Sequence, residues 1–299
     1  MSDSKQQVRD LSFIILSEGK ACGLFLLCAV VKDNKCSLSS YVQPIHSPMF
    51  LSEISNKQIK RSCSKIMDSL CYLVTSNICN PLTVQEGPCG IKKEVFCSEW
   101  FRQAMDRGSN CRLQYDMYVD LKLRSEQLKT FYRKSYKPLI NKGLREWKVE
   151  VLTSDSINKT IWTEFRLLHK TIAGRVTRSL ESWDIQYRMI EAGNAFFVSV
   201  RDIQSLKLVG GSLFQVTQHE GIYSIAAYDR SLFDKPLGHP SQHLAIEYMK
   251  SLGLNWYRLG EKLYPQSNPL PDQKEIDISH FKEGFCSKIF PRMILDIST

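Results

Sequence analysis

The segment "FYRKSYKPLIN", Phe131–Asn141, sets Arg133, Lys134 and Lys137 among two tyrosines, a phenylalanine and two branched aliphatics. Cations at that density suit a phosphate or carboxylate ligand; the same residues would equally form the solvated side of an amphipathic helix. A second stretch, "AGRVTRSLESW" at 173–183, places Arg175 and Arg178 around Thr177, with Ser179 following. Gly174 permits a positive φ. The helix expected from about Ser182 would aim its free N–H groups and positive dipole end back at this loop. Arginine grips phosphate or carboxylate through two parallel bonds, so the loop is a candidate anion site. The plainer alternative is an arginine paired with Glu181 or Asp184 while the hydroxyls cap the helix.

Charge points the same way. The formal net charge of the 299 residues is +9, and from Lys122 to Lys148 nine Lys/Arg face two Glu, so much of the excess sits in one segment. Such a patch favours phosphates, nucleotides, RNA or a membrane surface. Ten cysteines are present, none in C-x-x-C spacing and with no matching histidine pair, so no zinc site is expected. The polar start "MSDSKQQVRD" lacks the layout of a signal peptide. The apolar run "ACGLFLLCAVV" falls far short of the ~20 residues of a membrane helix. These features describe a cytoplasmic chain with reduced, mostly buried thiols.

The elements that must position these residues follow from periodicity. "LSFIIL", "GLFLLCAVV" and "CSLSSYVQPI" read as strands. Ile54, Ile59, Cys63, Ile66, Leu70 and Leu73 recur at helical spacing, 76–91 reads as loop, "CSEWFRQAMDRG" as a short helix and "RLQYDMYVDL" as a strand. From Ser125, the residues Leu128, Phe131, Tyr132, Tyr136, Leu139 and Ile140 form one apolar stripe of a helix that Pro138 should kink and Gly143 should end. Later come helices at 156–172 and 182–193, three strands (195–202, 206–218, 221–230), a helix at 240–254, a strand at 255–261, a helix at 273–285 and a last strand at 287–297. This is an α+β layer design, a mixed sheet with helices packed on it.

The segments "FYRKSYKPLINKG", "AGRVTRSLESWDIQYRMIEAGNAFF", "LVGGSLF", "YDRSLFDKPLGH" and "EIDISHFKEGF", in that order, resemble the FemAB-like branch of the GNAT superfamily, the peptidoglycan-bridge aminoacyltransferases and related acyltransferases. The resemblance covers 122–299 well and 1–121 loosely. It implies two GNAT-like domains, a divergent or abbreviated one over 1–145 and a second over 146–299, with a cleft between them. It further implies metal-free transfer of an acyl or aminoacyl group onto an amine of an anionic, nucleotide- or lipid-diphosphate-linked cell-surface precursor. The donor would be aminoacyl-tRNA or acyl-CoA, with no tightly bound cofactor; tRNA and a transient membrane surface are the further partners.

A CoA-binding GNAT turn offers backbone N–H groups to the pyrophosphate. Here "DRSLFDKPLGHPSQ" offers Gly238 but also Pro236 and Pro240, which have no N–H, so aminoacyl-tRNA is favoured; Lys235 could still hold a phosphate. Amine acylation needs a neutral amine, a stabilised oxyanion and a proton for the leaving group. The catalytic candidates are Glu261, beside Gly260 at a strand end, Tyr257 on the same strand, and His243 or His239 near a helix start. Asp229–Arg230 reads as a structural ion pair. Arg133, Lys134, Lys137, Arg175, Arg178 and Lys235 are the substrate-binding candidates. Two rival readings stand beside this one: an acetyl-CoA-dependent N-acetyltransferase, and a non-catalytic RNA-binding module using the basic helix. Against the latter, the aromatics lie on the apolar stripe, where they would pack rather than stack on bases.

Overall fold

The computed structural model describes residues 7–32, 35–40, 44–79, 82–87 and 97–297. The chain divides into two units, Met1–Tyr115 with Phe290–Thr299, and Asp116–Ile289. The boundary expected at 145/146 instead falls inside the second unit, because Leu128, Tyr132, Tyr136 and Ile140 pack into that unit's core.

In unit 1, β1 (Gln7–Asp10), β2 (Phe13–Ser17), β3 (Lys20–Phe25), β4 (Cys28–Lys32), β5 (Lys35–Ser39) and β6 (Met49–Phe50) form two three-stranded antiparallel sheets, β1–β4–β5 and β2–β3–β6. The single strand expected over "GLFLLCAVV" is thus split between two sheets. Helix α1 (Asn56–Thr75) starts at a capping box of Ser55 and Gln58, which satisfies donors the first turn leaves open. Its stripe of Cys63, Ile66, Met67, Leu70 and Val74 joins Phe25, Ile45 and Trp100 in one core. β7 (Leu82–Glu86) lies in the stretch read as loop and pairs antiparallel with residues 293–297. The short α2 (Glu99–Met105) contributes Trp100 and Ala104. The nine described cysteines are free thiols, four of them buried; Cys89 lies outside the described residues. Burial pushes the Cys63 thiol up to about 12.

Strand β8 (Asn110–Asp120) runs into unit 2. Then come α3 (Ser125–Phe131), α4 (Tyr136–Glu146), β9 (Trp147–Leu152), α5 (Lys159–Ala173), α6 (Leu180–Glu191), β10 (Ala195–Asp202), β11 (Leu208–Val216), β12 (Glu220–Tyr228), α7 (Gly238–Ser251), β13 (Trp256–Glu261), α8 (Gln273–Glu283) and β14 (Lys288–Ile297). The strands β9 to β12 form an antiparallel meander; β12 is parallel to β13, and β13 antiparallel to β8. Strand alternation divides the apolar residues between two faces. Phe196, Val198 and Phe214 meet α3, α4 and α7 on one; Phe197 and Leu213 meet Trp162, Phe165 and Trp183 of α5 and α6 on the other. β9 was not read from the sequence because "WKVEVL" follows α4 with no turn residue between.

The single kinked helix expected from Ser125 is two helices, broken at Tyr132–Ser135. Pro138 falls in the first turn of α4, where a missing N–H costs nothing. Nor does Gly143 end α4. A Cβ there would stand 2.7 Å from the Pro236 carbonyl oxygen and from Pro240 Cγ, so α4 and α7 approach closely at this point.

The aromatic half of "FYRKSYKPLIN" seats α8. Tyr136 Oη donates to the Phe281 carbonyl at 3.0 Å and the Arg133 N–H to the Gly284 carbonyl at 2.8 Å. The Tyr136 ring lies 4.9 Å from that of Phe285. A Cβ on Gly284 would overlap the Tyr136 ring. Gly284→Ala is therefore expected to lower unfolding free energy by about 1–3 kcal/mol, the usual cost of overpacking. Urea denaturation checks this, and an unchanged midpoint would contradict the packing.

Candidate active site

β12 and β13 pair at only three positions, Glu220, Gly221 and Ile222 with Trp256, Tyr257 and Arg258. Beyond them the strands part, leaving Tyr223–Tyr228 without a neighbour on that side. Gly260 marks where β13 turns away. Its φ of +117° lies in a region that L side chains avoid, and the β13–β8 register shifts between Arg258 and Gly260.

The gap opens into a cavity of about 830 Å³, lined by β12, the 3₁₀ turn Arg230–Leu232, the start of α7, the end of α5 and one side of α8. Its walls carry four cations, Arg230, Lys235, Lys274 and Lys282, against one carboxylate, Asp277. That imbalance favours an anionic ligand.

Lys282 is the most constrained of the four. Its Nζ lies 5.2 Å from the centroid of the Tyr223 ring, a position that favours a cation. Gly260 leaves room for it, since a Cβ there would sit 3.1 Å from the Nζ. Burial, and then the charge of Arg258, pull the Lys282 pKa below its ordinary value. Among the described residues Lys282 enters no ion pair; Glu283 is taken by Lys262 at 2.7 Å. Arg258 is taken by the fully buried Asp116, at 3.1 and 3.2 Å to its two oxygens.

Beneath the cavity lies a buried polar network. Tyr228 and Ser212 hydroxyls stand 2.5 Å apart, Ser241 donates to Ser212 at 3.3 Å, and Tyr257 Oη donates to Gln242 Oε1 at 2.6 Å. Burial raises the pKa of Tyr223, Tyr228 and Tyr257, so these phenols stay protonated; in the Tyr228–Ser212 pair either hydroxyl can be the donor.

Of the residues singled out from sequence, Lys235 and His239 line the cavity; Lys235 Nζ also lies 5.4 Å over the Trp147 ring. Tyr257 is fully buried in the floor and does not line the cavity. His243, one turn along α7, sets its ring edge against Tyr132 at 6.2 Å, outside the cavity. Glu261 is half-buried at the end of β13, its carbonyl accepting from Ser279 Oγ at 3.3 Å, and also lies outside the lining. Arg133 is engaged in structure: it donates to Tyr136 Oη at 3.1 Å and to the His280 carbonyl at 2.9 Å. Lys134 and Lys137 are exposed and off the cavity wall. Arg175 is exposed, while Arg178 packs over the Trp183 ring at 5.9 Å. In that loop Ser179 caps α6 by accepting from the Ser182 N–H at 3.2 Å, so the helix begins at Leu180, ahead of the expected Ser182. Thr177 contacts His169, which does line the cavity.

Sequence reasoning missed Lys282, Lys274, Tyr223 and Tyr228, and set Arg230 aside as the partner of Asp229. Asp229 instead accepts from Ser231, capping the 3₁₀ turn, and Arg230 faces the cavity. Among the described residues, no group of three or more His, Cys, Asp or Glu could hold a metal ion, and no helix is long and apolar enough to cross a membrane.

No family model and no curated protein matches the sequence. Solved structures do. The fold is shared with FemX. That structure superimposes with a TM-score of 0.65 at 12% identity, covering 98% of this chain and 88% of FemX. The C-terminal domain of a proposed lysylphosphatidylglycerol synthetase from Agrobacterium fabrum matches with a TM-score of 0.62 at 13% identity, over 96% of this chain and 84% of that one. A tandem GNAT protein from the clavulanic acid biosynthesis pathway matches with a TM-score of 0.54 at 11% identity, over 98% and 84%. The expected α+β architecture of two GNAT-like units therefore holds, and the likeness to FemX bears out the FemAB-like resemblance as a relationship of fold.

His239 provides a titration that reports on the cavity wall. Burial, and then the charge of Arg133, pull its pKa from 6.5 down to about 4. The unfolded chain binds this proton more readily than the folded one, so the neutral ring favours folding above pH 6.5 and that advantage is lost as pH falls towards 4. Urea midpoints taken across that window should drop more steeply for the wild type than for His239→Gln. Parallel profiles would show that the ring titrates normally.

Proposed function

We propose that this chain transfers an acyl or aminoacyl group onto an amine in the cavity of unit 2. One observation carries the reading: the Lys282 ammonium, half-buried over the Tyr223 ring where β12 and β13 part and without a counter-ion among the described residues. Attack of a neutral amine on an ester or thioester carbonyl forms a C–N bond and places negative charge on the carbonyl oxygen. An unpaired, partly desolvated cation stabilises that charge more than it stabilises the neutral ground state, which is what lowers a barrier. The C–O or C–S bond then breaks, the nitrogen loses a proton and the leaving oxygen or sulfur gains one. Tyr228, kept protonated by burial and lining the cavity, is a candidate for that proton donor.

The substrate reading follows from charge and from the neighbours. Arg230, Lys235 and Lys274 on the rim suit phosphates, as expected for a nucleotide- or lipid-diphosphate-linked acceptor or for the end of a tRNA. The names FemX and lysylphosphatidylglycerol synthetase agree with aminoacyl transfer to cell-wall or lipid acceptors. A second reading, acetyl-CoA-dependent N-acetylation, draws on the start of α7, where Gly238 and His239 line the cavity. Pro240 removes one donor from that helix turn, which favours aminoacyl-tRNA as donor.

The test is Lys282→Met beside Lys282→Arg, assayed for transfer from labelled aminoacyl-tRNA or acetyl-CoA to phosphatidylglycerol and nucleotide-linked muropeptide acceptors. Methionine should lower turnover by about 10²–10³-fold, the usual loss on removing an oxyanion partner. It should also raise the urea midpoint at neutral pH, because a charge penalised in the folded state is removed. Arginine should retain part of the rate. Full activity in the methionine variant, or no transfer by the folded wild type from either donor, would overturn the reading.

A further inference from the structure

Two of the cysteines in unit 1 meet. Cys36 of β5 and Cys79, just beyond the end of α1, are partners in an isolated parallel bridge. Partners across such a bridge project their side chains to the same face, from backbones about 4.8 Å apart. A disulfide spans Cα separations of about 4.4–6.8 Å, so the backbone already has the right spacing. The side chains are in register too: the two thiols share a hydrogen bond, and both are free.

The local fold holds Cys79 in place. Asn77 takes a φ of +55°, and the Ile78 and Cys79 N–H groups both donate to the Leu73 carbonyl, at 3.0 and 3.2 Å, so the chain wraps the last turn of α1. Cys79 is 1% exposed in the core of unit 1, and Cys36 packs half-buried against that core. Packing alone would be served by any small apolar side chain. Two sulfurs in contact add a chemistry.

Reactivity is divided between them. Burial, and then the hydrogen bond with Cys36, push the Cys79 thiol up to about 12, so it offers little thiolate to a reagent. Cys36 is the sulfur that a reagent from solvent meets. We propose that Cys36 and Cys79 are a redox-active pair that forms a disulfide by exchange with a small-molecule disulfide such as oxidised glutathione. Cys36 attacks one sulfur of the reagent, giving a mixed disulfide and releasing one thiol. Cys79 then attacks the Cys36 sulfur, and its proton passes to the second thiol as that leaves. Two protein thiols are oxidised and one disulfide is reduced to two thiols. The new bond fastens the end of α1 to β5. The proposal does not depend on the transferase reading.

The experiment treats the reduced full chain with oxidised glutathione, alkylates the remaining thiols and maps the peptides without reduction. A linked peptide joining Cys36 to Cys79 is expected, and dithiothreitol should return it to free thiols. Cys79→Ala should stop at a glutathione adduct on Cys36, and Cys36→Ala should leave Cys79 unmodified. Cys111→Ser, at an exposed thiol, should form the bond as the wild type does. The wild-type map decides the matter even where Cys79→Ala, a core substitution, lowers stability. The absence of a linked peptide, its appearance only in urea, a glutathione adduct on Cys36 that the wild type never resolves, or linkage of either residue to another cysteine instead would overturn the proposal.

Discussion

A half-buried ammonium group without a counter-ion has to be held by its surroundings, because water would otherwise be the better solvent for it. At Lys282 the surroundings are specific. Asp116, a fully buried carboxylate of β8, is spent on Arg258, whose charge in turn disfavours protonation of Lys282. Glu283, the next residue, is spent on Lys262. What remains for Lys282 is the face of Tyr223 and the space left by Gly260. With Arg230, Lys235 and Lys274 on the same walls, that allocation gives the cavity its anionic preference.

The rest of unit 2 keeps α8 where it can present this lysine. Ser279, buried in α8, accepts from the Leu263 N–H at 2.8 Å and donates to the Glu261 carbonyl, tying the helix to β13. At the far end, Tyr136, Phe281 and Phe285 form an aromatic seat with His239 between α4, α7 and α8. The opening stretch, "FYRKSYKPLIN", thus acts through its aromatics and through Arg133, while Lys134 and Lys137 remain on the surface. Its concentration of charge is a property of a solvated helix face as far as this cavity is concerned.

The architecture of unit 2 was legible because its elements are long and periodic. Helices α5 and α6 carry a 3.6-residue pattern behind their Asn158 and Ser179 caps, and strands β10 to β12 are apolar runs bounded by turns. Two strands were hidden for local reasons: β9 begins directly at the end of α4, and β7 sits among prolines and glycines. The cavity was only half legible. Lys235 and His239 stand in a loop whose composition draws attention to it. Lys282 gives no such signal, since "SHFKEG" reads as the polar end of a helix. Only the parting of β12 from β13, a tertiary feature, makes this lysine unlike the others. Glu261 and Tyr257 were attractive because a strand end next to glycine is a common catalytic position, yet the alternation along β13 sends Tyr257 into the floor.

The most direct test of the central claim is the titration of Lys282 itself. Reductive ¹³C-methylation of the lysines, followed by NMR across the alkaline range, assigns each resonance by comparison with Lys282→Met. The account predicts one resonance that titrates below the ordinary lysine value of 10.5, is absent from the methionine variant, and moves back up when an anionic substrate analogue fills the cavity. A Lys282 resonance that titrates with the surface lysines and ignores the analogue would contradict it.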